Sequence, residues 1–99
     1  MQTFTRVSGH LALPPGYEFV WGMVSFEDYA TSRQDAEFSL KTQDYRTTLM
    51  PGTWSAQAWV VVHDREGREC DCRPPMLTVY GCADRVALDV SVYARDCSC

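Results

Sequence analysis

The chain has 99 residues, 45% of them hydrophobic, and a net charge of -4. This predicts a single folded domain, residues 1–99, with one hydrophobic core. The nine basic residues are spread singly along the sequence, so we expect no nucleic-acid partner. The N-terminal residues lack the pattern of a secretion signal, and no apolar stretch approaches the length of a membrane span. No membrane partner is therefore expected.

Alternating apolar and polar residues predict about seven short strands. In chain order, the predicted strands cover residues 4–13, 18–27, 36–42, 44–50, 53–62, 76–81 and 85–93. The inward positions in the first four are Val7, Gly9, Leu11 and Leu13; Val20, Gly22, Val24 and Phe26; Phe38 and Leu40; and Tyr45, Thr47 and Leu49.

The clearest predicted strands are the fifth and the last. In the fifth, the inward positions are Trp54, Ala56, Ala58, Val60 and Val62, and Leu77 and Val79 take this role in the sixth. In the last, Val86, Leu88, Val90 and Val92 share one face of what is expected to be one long strand.

Turn-forming segments separate these runs. They are "LPPG" at 13–16, "MPGT" at 50–53, "DREG" at 64–67 and "RPP" at 73–75, in which Pro restricts φ and Gly tolerates positive φ. The polar segment 28–38 is expected to be a connecting loop rather than an amphipathic helix. Short strands with turns at this spacing and no helical period predict an all-β protein, an antiparallel Ig-like or prealbumin-like β-sandwich.

The segment "LMPGTW" at 49–54 resembles the turn that leads into a long strand in transthyretin-like or carboxypeptidase-regulatory-like domains. The matching positions elsewhere are Val7 and Gly9, the run "GMVSF" at 22–26, Phe38 with Leu40, and the last strand at 86–92. The usual turn before the third strand is replaced by "RQDAEF". The resemblance implies a β-sandwich of the type found in bacterial surface and phage virion proteins, where such domains are mostly binding or structural modules.

Four of the five cysteines form two Cys-x-Cys pairs, Cys70 with Cys72 and Cys97 with Cys99. Disulfides between the pairs require the last residues of the chain to lie beside 70–72, and closing about 27 residues would contribute roughly 3 to 4 kcal/mol. Two other possibilities stay open, reduced inert thiols and a zinc site, although one residue between paired ligands is atypical for zinc. Cys82 is expected to be a buried small hydrophobe or a free thiol.

The sequence contains no catalytic motif, and His10 and His63 are expected to be structural or solvated. The acidic residues at 64–71 could bind calcium, but a solvated hairpin tip is the simpler interpretation because Arg65 and Arg68 interrupt them. We therefore expect no catalytic residue, no metal and no cofactor.

Two aromatic residues, Trp59 and Tyr93, fall on the outward faces of their predicted strands. Outward rings of this kind contact a neighbouring subunit, stack on a sugar, or pack within the chain. We take Trp59 and Tyr93 as candidate subunit-contact residues.

An acidic β-sandwich with outward aromatics is typical of a component of a larger assembly. We expect a non-enzymatic phage virion protein, a capsid decoration or tail accessory module made in the host cytoplasm and carried in the virion. Its partners would be capsid or tail subunits, or further copies of the chain in a homo-oligomer. The cysteines would form bridges after release into an oxidising medium. The alternatives are a carbohydrate- or surface-binding module of a bacterial extracellular protein, and a small enzyme or metal protein built around the cysteine pairs.

Overall fold

A computed structural model describes residues 4–75, 77–80 and 83–99. This part of the chain contains ten strands and one short 3-10 helix, Ala94–Asp96, with no helix long and apolar enough to cross a bilayer. The strands are β1 Thr5–Ala12, β2 Glu18–Glu27, β3 Arg33–Glu37, β4 Asp44–Leu49, β5 Thr53–His63, β6 Glu69–Cys72, β7 Leu77–Tyr80, β8 Arg85–Ala87, β9 Val90–Ser91 and β10 Cys97–Ser98.

The strands form two sheets. The smaller sheet has the order β4-β1-β8, with β9 also paired to β1, and the larger sheet has the order β10-β6-β5-β2-β3, with β7 also paired to β5. The larger sheet is antiparallel throughout its described pairs, whereas β8 and β9 run parallel to β1. The predicted β-sandwich is confirmed, but its smaller sheet is mixed. The reason is that β8 and β9 reach β1 after the chain has left the larger sheet, not through a hairpin.

The inward faces of the two sheets form one core. The smaller sheet contributes Val7, Leu11, Tyr45, Leu49 and Val90, and the larger sheet contributes Val24 and Phe26, the alternate residues of β5, and Cys70 with Cys72. In β5, the predicted inward residues Trp54, Ala56, Ala58, Val60 and Val62 are all buried. The small side chains of Ala56 and Ala58 leave room for the larger residues opposite.

The turn before β5 has the conformation expected from the sequence. Gly52 has φ 144°, a value that a residue with a Cβ rarely adopts. Trp54 is buried, and its indole N–H donates a 2.9 Å hydrogen bond to the carbonyl of Met50. This bond satisfies the one polar group of a core tryptophan and ties the strand to the turn.

The prediction that Val20 points into the core is wrong. The pairing of β2 with β5 shifts register between Phe19 and Trp21, which marks a β-bulge at Val20. An extra residue in one strand reverses the alternation on its N-terminal side. Phe19 consequently packs against the core in edge-to-face contact with Phe38, and Val20 is exposed.

The third strand begins and ends earlier than predicted. β3 covers Arg33–Glu37, part of the segment expected to be a loop, and Leu40 is 70% exposed rather than inward. Phe38 is buried as predicted. The strand ends because the Ser39 hydroxyl accepts the main-chain N–H groups of Lys41 and Thr42, which closes a turn instead of continuing the ladder.

The long strand predicted at 85–93 is interrupted at Leu88 and Asp89. The main-chain N–H of His10 donates to the carboxylate of Asp89 at 2.9 Å, so a side chain replaces the carbonyl that a continuous ladder would supply. The predicted faces are nevertheless correct, since Val90 and Val92 are buried and Val86 and Leu88 pack against the core. This interruption, with the two short strands β6 and β10, raises the strand count from about seven to ten.

Candidate functional site

The cysteine pairs form two disulfides, Cys70–Cys99 and Cys72–Cys97. β6 and β10 are antiparallel, with Cys97 opposite Cys72 and Ser98 opposite Asp71, so Cys99 falls opposite Cys70. Alternate residues of a strand share a face, which brings both bridges to the inner face of β6. The disulfide alternative is therefore the one adopted. Cys82 lies outside the described residues.

These bridges bear directly on the zinc alternative. Cys70 and Cys99 lie with Asp64 in a group whose possible ligand atoms are all within 4.8 Å of one another. Metal coordination by cysteine requires the thiolate, and all four of these sulfur atoms are in disulfide bonds. In this form the cysteines are a covalent fastening of the C-terminal segment to the larger sheet.

The acidic hairpin tip between β5 and β6 is organised by Asp64. Its buried carboxylate accepts hydrogen bonds from the main-chain N–H groups of Glu66 and Arg68 and from the Arg68 guanidinium at 2.8 Å. Burial disfavours the charged carboxylate, but these donors outweigh it and lower the pKa of Asp64 below 3.8. The carboxylate is thus engaged by the chain itself and, unlike the solvated tip expected from the sequence, is buried.

The outer face of the larger sheet carries an aromatic surface. Trp21 on β2 and Trp59 on β5 form an edge-to-face pair with ring centroids 5.3 Å apart. Met23 pairs with Trp59, and Val61 pairs with Trp21, so all four side chains occupy adjacent outward positions. We call Trp21, Met23, Trp59 and Val61 the tryptophan patch.

Charged residues border the tryptophan patch on two sides. The guanidinium of Arg73 lies over the Trp59 ring, 5.5 Å from its centroid, and the Trp21 indole N–H donates to the Glu37 carboxylate at 3.4 Å. Trp59 keeps 36% of its surface exposed. An exposed aromatic centre with a polar border is the usual layout of a binding surface.

Of the two predicted contact residues, only Trp59 belongs to the tryptophan patch. Tyr93 lies after β9, where the chain crosses from the smaller sheet to the larger one, and is 55% exposed. Its ring is covered on one side by the guanidinium of Arg95 at 4.9 Å. The fold therefore does not join the two residues in one aromatic pair.

Trp21 was missed by the sequence interpretation. Its position between Val20 and Gly22 assigns it to the outward face of β2, and this signal was present in the alternation. Its contact with Trp59 depends on the register of β2 against β5, in which Trp21 lies opposite Val61 and Met23 opposite Trp59. Sequence periodicity alone does not supply that register.

The histidines occupy different surroundings. His10 Nδ1 lies 2.7 Å from the Asp44 carboxylate, and both side chains are more than half exposed. The hydrogen bond from His10 holds the pKa of Asp44 below 3.8. His63 is half-buried at the end of β5, where it lies opposite Glu18 on β2 and opposite Glu69 on β6. His10, Asp44 and Asp89 line a wide surface groove on the smaller sheet.

No protein-family model and no curated protein significantly matches this chain.

Proposed function

We propose that the chain is a non-enzymatic structural module that binds other subunits of a phage virion, as a capsid decoration or tail accessory protein. In this proposal the tryptophan patch is the contact surface, and the chain is related to transthyretin-like domains. The observation that carries the proposal is the Trp21–Trp59 pair on the outer face of the larger sheet, with Trp59 exposed, Trp21 half-buried and Arg73 at its border.

The composition of the tryptophan patch supports contact with a protein. Trp, Met and Arg are enriched at the centres of protein interfaces, where the large rings are buried by the partner. Trp59 and Trp21 already hold each other in one orientation, so binding would immobilise little additional side-chain freedom. Tyr93 with Arg95 would form a second, separate contact near the crossover.

The disulfides support a working environment outside the reducing cytoplasm. Disulfides persist in oxidising surroundings such as virion surfaces, and both bridges here fasten the C-terminal strand to β6. A virion component made in the host and released with the particle would meet that condition.

The proposal is tested by locating the chain on purified particles. Immuno-electron microscopy and gradient sedimentation should place the unmodified chain on heads or tails in fixed copy number. W59A should reduce that occupancy at least about tenfold, the effect expected of a central interface tryptophan. Tyr29 is 94% exposed on the β2–β3 connection, so Y29A is the matched control and should bind normally. Absence of the chain from particles would contradict the proposal.

A second candidate is a carbohydrate- or surface-binding module of a bacterial extracellular protein. The same observation favours it, because exposed tryptophan rings with polar neighbours are suited to stacking on sugar. A glycan array with the unmodified chain, W59A and Y29A separates the two candidates. Binding of one sugar class that W59A abolishes and Y29A keeps would favour this candidate over the virion proposal.

A further inference from the structure

Three arginines far apart in the sequence meet on the outer face of the smaller sheet. Arg6 lies on β1, directly opposite Arg85 on the parallel strand β8, and Arg46 on β4 lies opposite Ser8. All three side chains are exposed, and they line one groove of about 520 Å³. The fold thus brings together Arg6, Arg46 and Arg85, which stand singly in the sequence, and we call them the arginine groove.

The other five arginines are already engaged within the chain. Arg33 and Arg68 pair with carboxylates, Arg65 donates to the carbonyl of Pro15, and Arg73 and Arg95 cover aromatic rings. In the part of the chain that the structure describes, no carboxylate lies within 4 Å of a guanidinium nitrogen of the arginine groove. Among the described contacts, the three arginines of the groove are thus the ones with no carboxylate, carbonyl or aromatic ring assigned to the guanidinium group.

Holding these charges together is unfavourable for folding. Like charges directly opposite each other on paired strands repel, as Arg6 and Arg85 do here. Among the residues that the structure describes, no acidic side chain lines the groove to offset them, although the chain as a whole has a net charge of -4. The outward hydroxyl groups of Ser8 and Thr48 add further hydrogen-bond donors. The arrangement becomes favourable when an anion occupies it.

We propose that the arginine groove binds a ligand that carries two or more closely spaced phosphate or sulfate groups. Guanidinium groups match these oxyanions through paired hydrogen bonds. Arg46 and Arg85 lie on the strands on either side of β1, opposite Ser8 and Arg6 respectively, so their Cα atoms are roughly 12 Å apart at the spacings of a sheet. The three guanidinium charges exceed the charge of one phosphate or sulfate group, whereas two or more linked groups come closer to balancing them.

The neighbouring surface limits where the ligand lies. Beyond Ser8 and Arg46 the adjoining groove is acidic, lined by Asp44, Asp89 and, from the end of β3, Glu37. These carboxylates disfavour an anion that extends towards His10. The ligand is therefore held at the end of the sheet formed by Arg6, Arg46 and Arg85.

Isothermal titration with tripolyphosphate and with a multiply sulfated disaccharide tests this proposal, and citrate serves as a carboxylate of comparable charge. At least one of the two oxyanions should bind more tightly than citrate and shift the amide NMR signals of β1, β4 and β8. R46Q/R85Q should weaken that binding at least about tenfold. Which oxyanion binds more tightly identifies the source of the ligand.

The matched control is R33Q/K41Q, which removes the same charge from exposed positions outside the groove. It should keep the affinity of the unmodified chain within about twofold. If both double variants bind the oxyanion equally weakly, the loss of affinity follows from net charge alone, and the proposal is overturned. The proposal would also be overturned if millimolar concentrations of both oxyanions produced no binding heat and no shifts of the amide NMR signals. Circular dichroism of each variant confirms that the fold is retained.

Discussion

The hydroxyl group of Tyr45 donates a 2.6 Å hydrogen bond to the main-chain carbonyl of Leu88, 43 residues further along the chain. Tyr45 lies on β4 and is 3% exposed, and Leu88 lies at the interruption between β8 and β9. The bond therefore satisfies a carbonyl at the point where the ladder with β1 is broken. Burial, together with the charge of Asp89, raises the pKa of Tyr45, so the hydroxyl remains a donor throughout the neutral pH range.

Replacing this donor should destabilise the protein measurably. In Y45F the ring stays in place but the Leu88 carbonyl loses its partner, which costs about 1 to 2 kcal/mol of unfolding free energy. Urea unfolding monitored by tryptophan fluorescence measures the change. Y93F removes the hydroxyl of a residue that is more than half exposed, and it should change the free energy of unfolding by less than about 0.5 kcal/mol. Equal effects from both variants would contradict a specific role for the Tyr45–Leu88 bond.

Gly9 on β1 permits the close approach of Leu88. A Cβ at position 9 would overlap the Leu88 carbonyl oxygen and lie 2.8 Å from a ring carbon of Tyr45. We expect G9A to cost about 1 to 3 kcal/mol of unfolding free energy through this overpacking. S8A, one residue away on the outward face, is the control and should cost less than about 0.5 kcal/mol. A thermal denaturation midpoint for G9A equal to that of S8A would show that Leu88 moves without penalty.

The two disulfides should account for a large part of the stability. They link residues 25 and 29 positions apart, and closing the first loop of this size contributes about 3 to 4 kcal/mol. Because the bridges are nested, the second closes only a few additional residues and contributes less. C72A/C97A should therefore lose less than C70A/C72A/C97A/C99A, as measured by urea unfolding of the oxidised proteins.

Peptide mapping after thiol blocking checks the connectivity assumed in that comparison. Non-reduced digests should contain linked peptides for Cys70–Cys99 and Cys72–Cys97, and these four cysteines should not be alkylated before reduction. Crossed links, Cys70 to Cys97 and Cys72 to Cys99, would contradict the antiparallel register of β6 and β10. The same unfolding experiment with reducing agent should lower the stability of the unmodified chain to that of the quadruple variant.

Stability should fall at acidic pH through Asp64. The pKa of Asp64 lies below 3.8 in the folded chain, so the unfolded chain binds the proton first as the pH decreases. The contribution of the charged carboxylate is therefore complete above pH 3.8 and is lost as the pH falls through the folded pKa. D64N should be less stable than the unmodified chain at pH 7, with the difference shrinking below pH 3.8.

Chemical unfolding at a series of pH values measures this convergence. D71N, on the exposed outer face of β6, is the control and should remain close to the unmodified chain at pH 7. If the difference in unfolding free energy between D64N and the unmodified chain stayed constant from pH 7 to pH 2, its cause would be the altered hydrogen bonds and not the charge of the carboxylate.

The local features of this protein are determined by its sequence. Alternation at 53–62 predicts the buried face of β5 because side chains of a strand point to opposite sides, whatever its neighbours are. Pro51 and Gly52 predict the turn before it, since their φ preferences are properties of the residues themselves. The all-β class and one core follow from repeating such local patterns. The predictions failed at Val20, where a β-bulge reverses the alternation, and at Leu40, where the Ser39 side chain closes a turn and the strand has already ended.

Only the tertiary structure decides which strands become neighbours and in what register. That choice depends on burying the apolar faces of the whole chain at once, so no segment carries it alone. It pairs Trp21 with Trp59, sets Cys70 opposite Cys99, and gathers Arg6, Arg46 and Arg85 in one groove. The fold class was thus readable from the residues, whereas both proposed binding surfaces arise from pairings between distant strands.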